Sequence, residues 1–234
     1  MSLPNLAPPP EEVNTQRPAP WPLWLTAAGL LGAVATLATD RRPEGERNRD
    51  DYTVSAADMS ALDHLPFPIG GFAGFLCVAA LLIAAAVWHR RVDQRFKWSI
   101  GAPVVTFGLV AAAGALTLAY GWKGALGNYL HGAMEEGTYD DAGLYSYYVM
   151  NDFSPYLGWL PVAVALGGIA WMGFRERLVA RGVSGCAALF AIAAFGAVGV
   201  TGVPGLPFVS MIGLSIAGIW LSFGRSVAIQ GGER

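Results

Sequence analysis

Five stretches of this chain carry no charged residue: Trp21–Thr39, Phe67–Trp88, Ser99–Trp122, Ser154–Phe174 and Gly182–Gly224. A helix crossing the hydrocarbon core of a bilayer needs about 20 consecutive apolar residues. The first four stretches each match one crossing. The last is long enough for two, with the turn at Val203-Pro204-Gly205-Leu206-Pro207. The expected fold is therefore all-α, a polytopic membrane protein built as a six-transmembrane-helix bundle. Its spans are expected at about 21–39, 68–88, 99–120, 155–174, 184–203 and 206–224. With only 14% of its 234 residues charged, the chain leaves no room for a separate soluble domain.

The few charges orient the bundle. With both termini in the cytoplasm, the inner segments hold ten basic residues: Arg17, Arg90, Arg91, Arg95, Lys97, Arg175, Arg177, Arg181, Arg225 and Arg234. The outer segments hold five: Arg41, Arg42, Arg47, Arg49 and Lys123. Lys and Arg near span ends favour the cytoplasm, so this orientation in the plasma membrane is expected, although Arg41 and Arg42 taken alone would reverse the first span. That span reads as an uncleaved helix, because the segment before it is too long and acidic for a signal peptide. Cys77 and Cys186 fall at different depths of their spans and read as unpaired core residues. Lysine occurs only at Lys97 and Lys123, a composition typical of a GC-rich bacterial source. In general build only, the chain resembles the small multi-pass proteins of such bacteria.

Residues 1–20 form a Pro-rich tail with too few apolar side chains to fold, and residues 225–234 form a second short cytoplasmic tail. Trp21, Trp24, Trp88, Trp98, Trp122 and Trp159 lie near span ends, where amphipathic rings favour the lipid boundary. In the first outer loop, Ser55-x-x-Asp58 and Ser60-x-x-Asp63 fit capping boxes of a short helix. In the second, Leu126, Tyr129, Leu130, Ala133 and Met134 recur at three- and four-residue intervals. They predict a short amphipathic helix that lies along the membrane surface or caps the bundle. Ser154-Pro155 reads as the start of the next span.

Function is less legible than architecture. No ionisable residue falls at lipid depth by this reading, which disfavours proton-coupled transport and haem ligation inside the bundle. Small residues four apart (Ala28/Gly32, Gly70/Gly74, Gly108/Ala112, Ala163/Gly167, Gly213/Ala217 and Gly218/Ser222) suit close helix contacts, within the bundle or with a membrane-protein partner. The motifs of zinc proteases, paired-cysteine metal sites, serine hydrolases and phosphate-binding loops are absent from the sequence. No catalytic residue, metal ligand or cofactor is assigned, and nucleic acid is not an expected partner. The one set of outer-face candidates comprises His131, Glu135, Glu136, Asp140, Asp141 and Asp152 of the second loop, with Asp63 and His64 of the first. Converging, they could bind a metal or act as acid and base. The leading expectation is a non-enzymatic membrane subunit, assembly factor or binding protein. The alternatives are a facilitative transporter for a neutral or apolar solute, or an outer-face enzyme or metal-dependent receptor.

Overall fold

The computed structural model describes residues 19–43, 53–202 and 207–230. Most of the Pro-rich tail, the charged coil of the first loop and the turn at 203–206 lie outside the described residues. The described chain is all-helical. Helix α1 (Leu23–Ala33) continues as a π-helical turn, Val34–Ala38. A 3-10 helix, Ala56–Ala61, precedes α2 (Pro66–Trp88), which runs on π-helically through His89–Asp93. Then come α3 (Gly101–Tyr129), α4 (Asp141–Phe174), α5 (Arg181–Thr201), α6 (Pro207–Phe223) and the short α7 (Val227–Gln230). Helices α2 to α5 are long and apolar enough to cross a membrane, whereas Leu23–Leu37 and Pro207–Phe223 are shorter apolar helices.

Each of the six principal helices packs on its successor, and α6 returns to α1, with α3 against α4 as the most extensive contact. Small residues make this approach close. A Cβ at Gly32 would lie 2.0 Å from the Trp159 ring, and one at Gly74 would lie 2.1 Å from the Tyr120 ring. Only hydrogen at these positions admits the two aromatic side chains to the bundle interior. Gly108, Gly213 and Gly218 likewise sit against neighbouring helices of the same chain, whereas Gly167 faces open space. Phe72, Phe107, Leu118, Leu189 and Ile192 are exposed on the perimeter, an outer surface suited to lipid rather than water.

Two helices are longer than a bilayer requires. With 29 residues in α3 and 34 in α4, they extend about 44 and 51 Å at 1.5 Å per residue, against about 30 Å of hydrocarbon. Their adjoining ends form a cap on one end of the bundle with its own core of Met59, Leu62, Phe67, Leu126, Leu130, Leu144 and Tyr148, separate from the main cluster. This cap revises the expected second outer loop. Leu126 and Tyr129 belong to the last turns of α3 rather than to a separate amphipathic helix. Helix α4 starts at Asp140, whose carboxylate accepts from the Gly143 N–H, and Pro155 lies inside it. Packing of Leu144 and Tyr148 into the cap outweighs the stop signal of Ser154-Pro155. The Ser55–Asp58 capping box forms, whereas Asp63 instead accepts from the Leu65 N–H. Trp24 and Trp98 are exposed near helix ends as expected, but Trp21, Trp88 and Trp159 are buried. Both cysteines are free.

Candidate functional site

Where α3 leaves the bundle for the cap, it carries Lys123 inward. Lys123 lies 22 residues beyond the start of α3, about 33 Å along its axis, slightly more than the thickness of a bilayer's hydrocarbon core. The side chain is only 1% exposed. Its Nζ is 5.5 Å from the centre of the Phe67 ring, a cation–π distance, and its stem lies against Gly70. It has no hydrogen bond or ion pair among the described residues.

Lys123 opens into a cavity of about 160 Å³, lined also by Thr36, Asp40, Asn151, Asp152 and Tyr156, with Pro155, Pro207 and Phe208 completing the wall. Four elements meet here, and three of them bring polar groups, each for a local reason. The π turn of α1 places Thr36 on the inner face and releases the chain just before Asp40; such turns recur at functional sites. Because α4 continues past Asp152 instead of starting at Ser154, Asn151 and Asp152 stand on a rigid helix. Asn151 is 2% exposed, and both its amide nitrogen and its amide oxygen lack a hydrogen-bond partner among the described residues. Leaving such a group unsatisfied costs about 1–3 kcal/mol, so a buried amide left open in this way demands an explanation.

Charges of both signs meet at the rim. Asp40 is exposed as a residue, yet protein around its carboxyl removes hydration and raises its pKa. Lys123 opposes that rise, Asp152 adds to it, and Arg42 opposes it. Thr36 ties the cavity wall to the bundle interior. Trp159 donates from Nε1 to the Tyr120 hydroxyl at 3.2 Å, and that hydroxyl shares a hydrogen bond with Thr36 Oγ1 at 3.1 Å. Tyr120 and Trp159 are fully buried, so together they plug the bundle next to Thr36.

The outer-face residues singled out from the sequence are distributed differently. His131, Glu136 and Asp141 do meet: Nδ1 lies 3.1 Å from Glu136 Oε1, and Nε2 lies 3.3 Å from Asp141 Oδ1. The bond to Glu136, then that to Asp141, raises the imidazole pKa. The Gly132 N–H, then His131, lowers that of Glu136. Both ring nitrogens are thus engaged in holding the α3–α4 connection together. His64 stands beside Gly132, while Asp140 caps α4 and Asp63 caps the turn into α2. Glu135 is exposed, and Asp152 belongs to the Lys123 cavity. Among the described residues no group of three His, Cys, Asp or Glu side chains is placed to hold a metal ion.

Lys123, Asn151, Asp40 and Thr36 were missed as site residues. Lys123 read as a loop residue because the expected span ended before it. Its rarity as one of two lysines and its place within an unbroken helical pattern were the available signals. No protein family, curated protein or solved structure matches this chain, so the site is argued from its own chemistry.

Proposed function

We propose that this chain is a six-span plasma-membrane protein of bacterial type, with both termini cytoplasmic, that binds a small zwitterionic solute at its outer end without transforming it. The observation that carries the reading is a buried ammonium and a buried amide lining one cavity, the amide with neither its nitrogen nor its oxygen hydrogen-bonded among the described residues. A carboxylate would accept from Lys123 Nζ and from the Asn151 amide nitrogen. An ammonium would be received by the Asn151 oxygen and the rim acids Asp40 and Asp152. A cavity of about 150 Å³ accommodates benzene, so a ligand of about six non-hydrogen atoms fits, the size of the smallest amino acids.

The Tyr120–Trp159 plug favours binding over passage through the bundle. An outer-face enzyme centred on His131 is disfavoured because both imidazole nitrogens already have carboxylate partners. Titration calorimetry on the purified protein with glycine, acetate and methylammonium as probes tests the reading. Glycine is expected to bind saturably and at least tenfold more tightly than either half-probe. Equal or undetectable binding of all three would refute a zwitterion site. For topology, single cysteines at Ser55, Gly137 and Gln230 in a background lacking Cys77 and Cys186 serve as markers. The first two should react with an impermeant thiol reagent in intact cells, and the third should not.

A further inference from the structure

The opposite end of the bundle holds a groove of about 600 Å³ lined by Trp21, Ala86, Val87, Arg90, Arg91 and Arg95. Its composition follows from the end of α2. Leu82, Ala86 and Arg90 are spaced four apart, as are Ile83, Val87 and Arg91, so two adjacent stripes run from apolar to cationic. Leu82 and Ile83 are exposed on the bundle perimeter. The apolar part of each stripe therefore faces the acyl region, and each arginine emerges at the water boundary. Trp21 forms the far wall, edge-on to Trp88 at 5.9 Å between ring centres, and its Nε1 has no hydrogen-bond partner among the described residues.

The arginines are not neutralised by the acids of this end. Asp93 is held by His89 at 2.8 Å. Glu176 accepts from the backbone N–H groups of Ile100 and Gly101, from Ser99 Oγ and from Trp171 Nε1. Arg90, Arg91 and Arg95 form no ion pair with a carboxylate among the described residues, and Arg95 instead lies 4.9 Å over the Phe96 ring. Guanidinium groups match phosphate oxygens in number and direction of donors. Basic pockets between transmembrane helices at the cytoplasmic side take anionic headgroups.

We propose that this groove binds the phosphate of an anionic diacyl phospholipid, with Arg90, Arg91 and Arg95 around the phosphate and the acyl chains along Leu82, Ile83, Ala86 and Val87. The site is independent of the outer cavity and of its ligand. The phosphate could equally come from a soluble ester, but the apolar half of each stripe selects the lipid.

Native mass spectrometry of delipidated protein titrated with phosphatidylglycerol or phosphatidylcholine, with glycerol phosphate as soluble competitor, tests the assignment. Phosphatidylglycerol is expected to be retained at least tenfold more than phosphatidylcholine. Arg90→Gln/Arg91→Gln/Arg95→Gln should lower that retention at least tenfold, while Arg175→Gln/Arg177→Gln/Arg181→Gln, at a basic turn outside the groove, should leave it unchanged. Should the first triple variant fail to fold, Arg95→Glu, at an exposed position, must lower retention at least threefold. Equal retention of the two lipids, equal loss in the two triple variants, or no loss in Arg95→Glu would overturn the proposal. Displacement by equimolar glycerol phosphate would also overturn it, by showing a phosphate site without lipid selectivity.

Discussion

The two places where charged side chains gather at the capped end of the bundle differ in one respect, whether their polar groups are satisfied. At His131 both imidazole nitrogens meet carboxylates, and Glu136 also accepts from the Gly132 N–H at 3.0 Å. The cluster is exposed, self-contained and tied to a loop. At Lys123 the ammonium is buried against the Phe67 ring, and the Asn151 amide that shares its cavity is buried and open among the described residues. Sequence logic ranks the first above the second, because a histidine among acids resembles chemistry more than a lone lysine does. Physical accounting reverses the order. Exposed groups that satisfy one another stabilise a connection slightly, whereas buried groups left open retain a cost that a ligand or an ordered water offsets.

The sharpest way to break this contrast is Lys123→Met, which keeps the volume and removes the charge. Loss of about 3 kcal/mol of glycine binding, more than a hundredfold, is expected by calorimetry, with the unliganded protein at least as stable as before. Unchanged binding would remove Lys123 from the site. Next in size is Glu176→Ala at the inner end, where the carboxylate has several donors. A cost of about 2 kcal/mol, read as a lower unfolding midpoint in detergent, would show what a satisfied carboxylate contributes in this fold. Asn151→Leu should shift stability the other way, upward by about 1–2 kcal/mol in the absence of ligand, and should weaken glycine binding. A destabilised Asn151→Leu would mean the amide is already satisfied.

The smallest effect belongs to His131→Ala, expected within the spread of ordinary surface substitutions. Its pH dependence is more telling. The raised imidazole pKa gives a contribution fully present below the ordinary histidine value and lost as pH rises through the raised one. The lowered Glu136 pKa gives one present above the ordinary glutamate value and lost as pH falls through the lowered one. The clamp is therefore complete between about pH 4.3 and 6.5. Proteolysis of the 130–140 connection should be slowest in that window and should lose its pH dependence in His131→Gln.

What the chain determined by itself is its solvent. Charge-free runs of about 20 residues must be helices where the backbone has no water to bond, and four helices here are long and apolar enough to cross a membrane. Spacing of small residues also announced close packing, because a missing side chain acts locally. Helix ends were a different matter. Ser154-Pro155 is a sound local start signal, and Trp122-Lys123 a sound local end. Both were overridden when distant segments, the 3-10 helix and the flanks of α3 and α4, buried Met59, Phe67, Leu126 and Leu144 together. That cap carried Lys123 and Asn151 into helices whose packing brings both to one cavity. Their juxtaposition depends on contacts between residues far apart in the chain, so only the tertiary structure decided it.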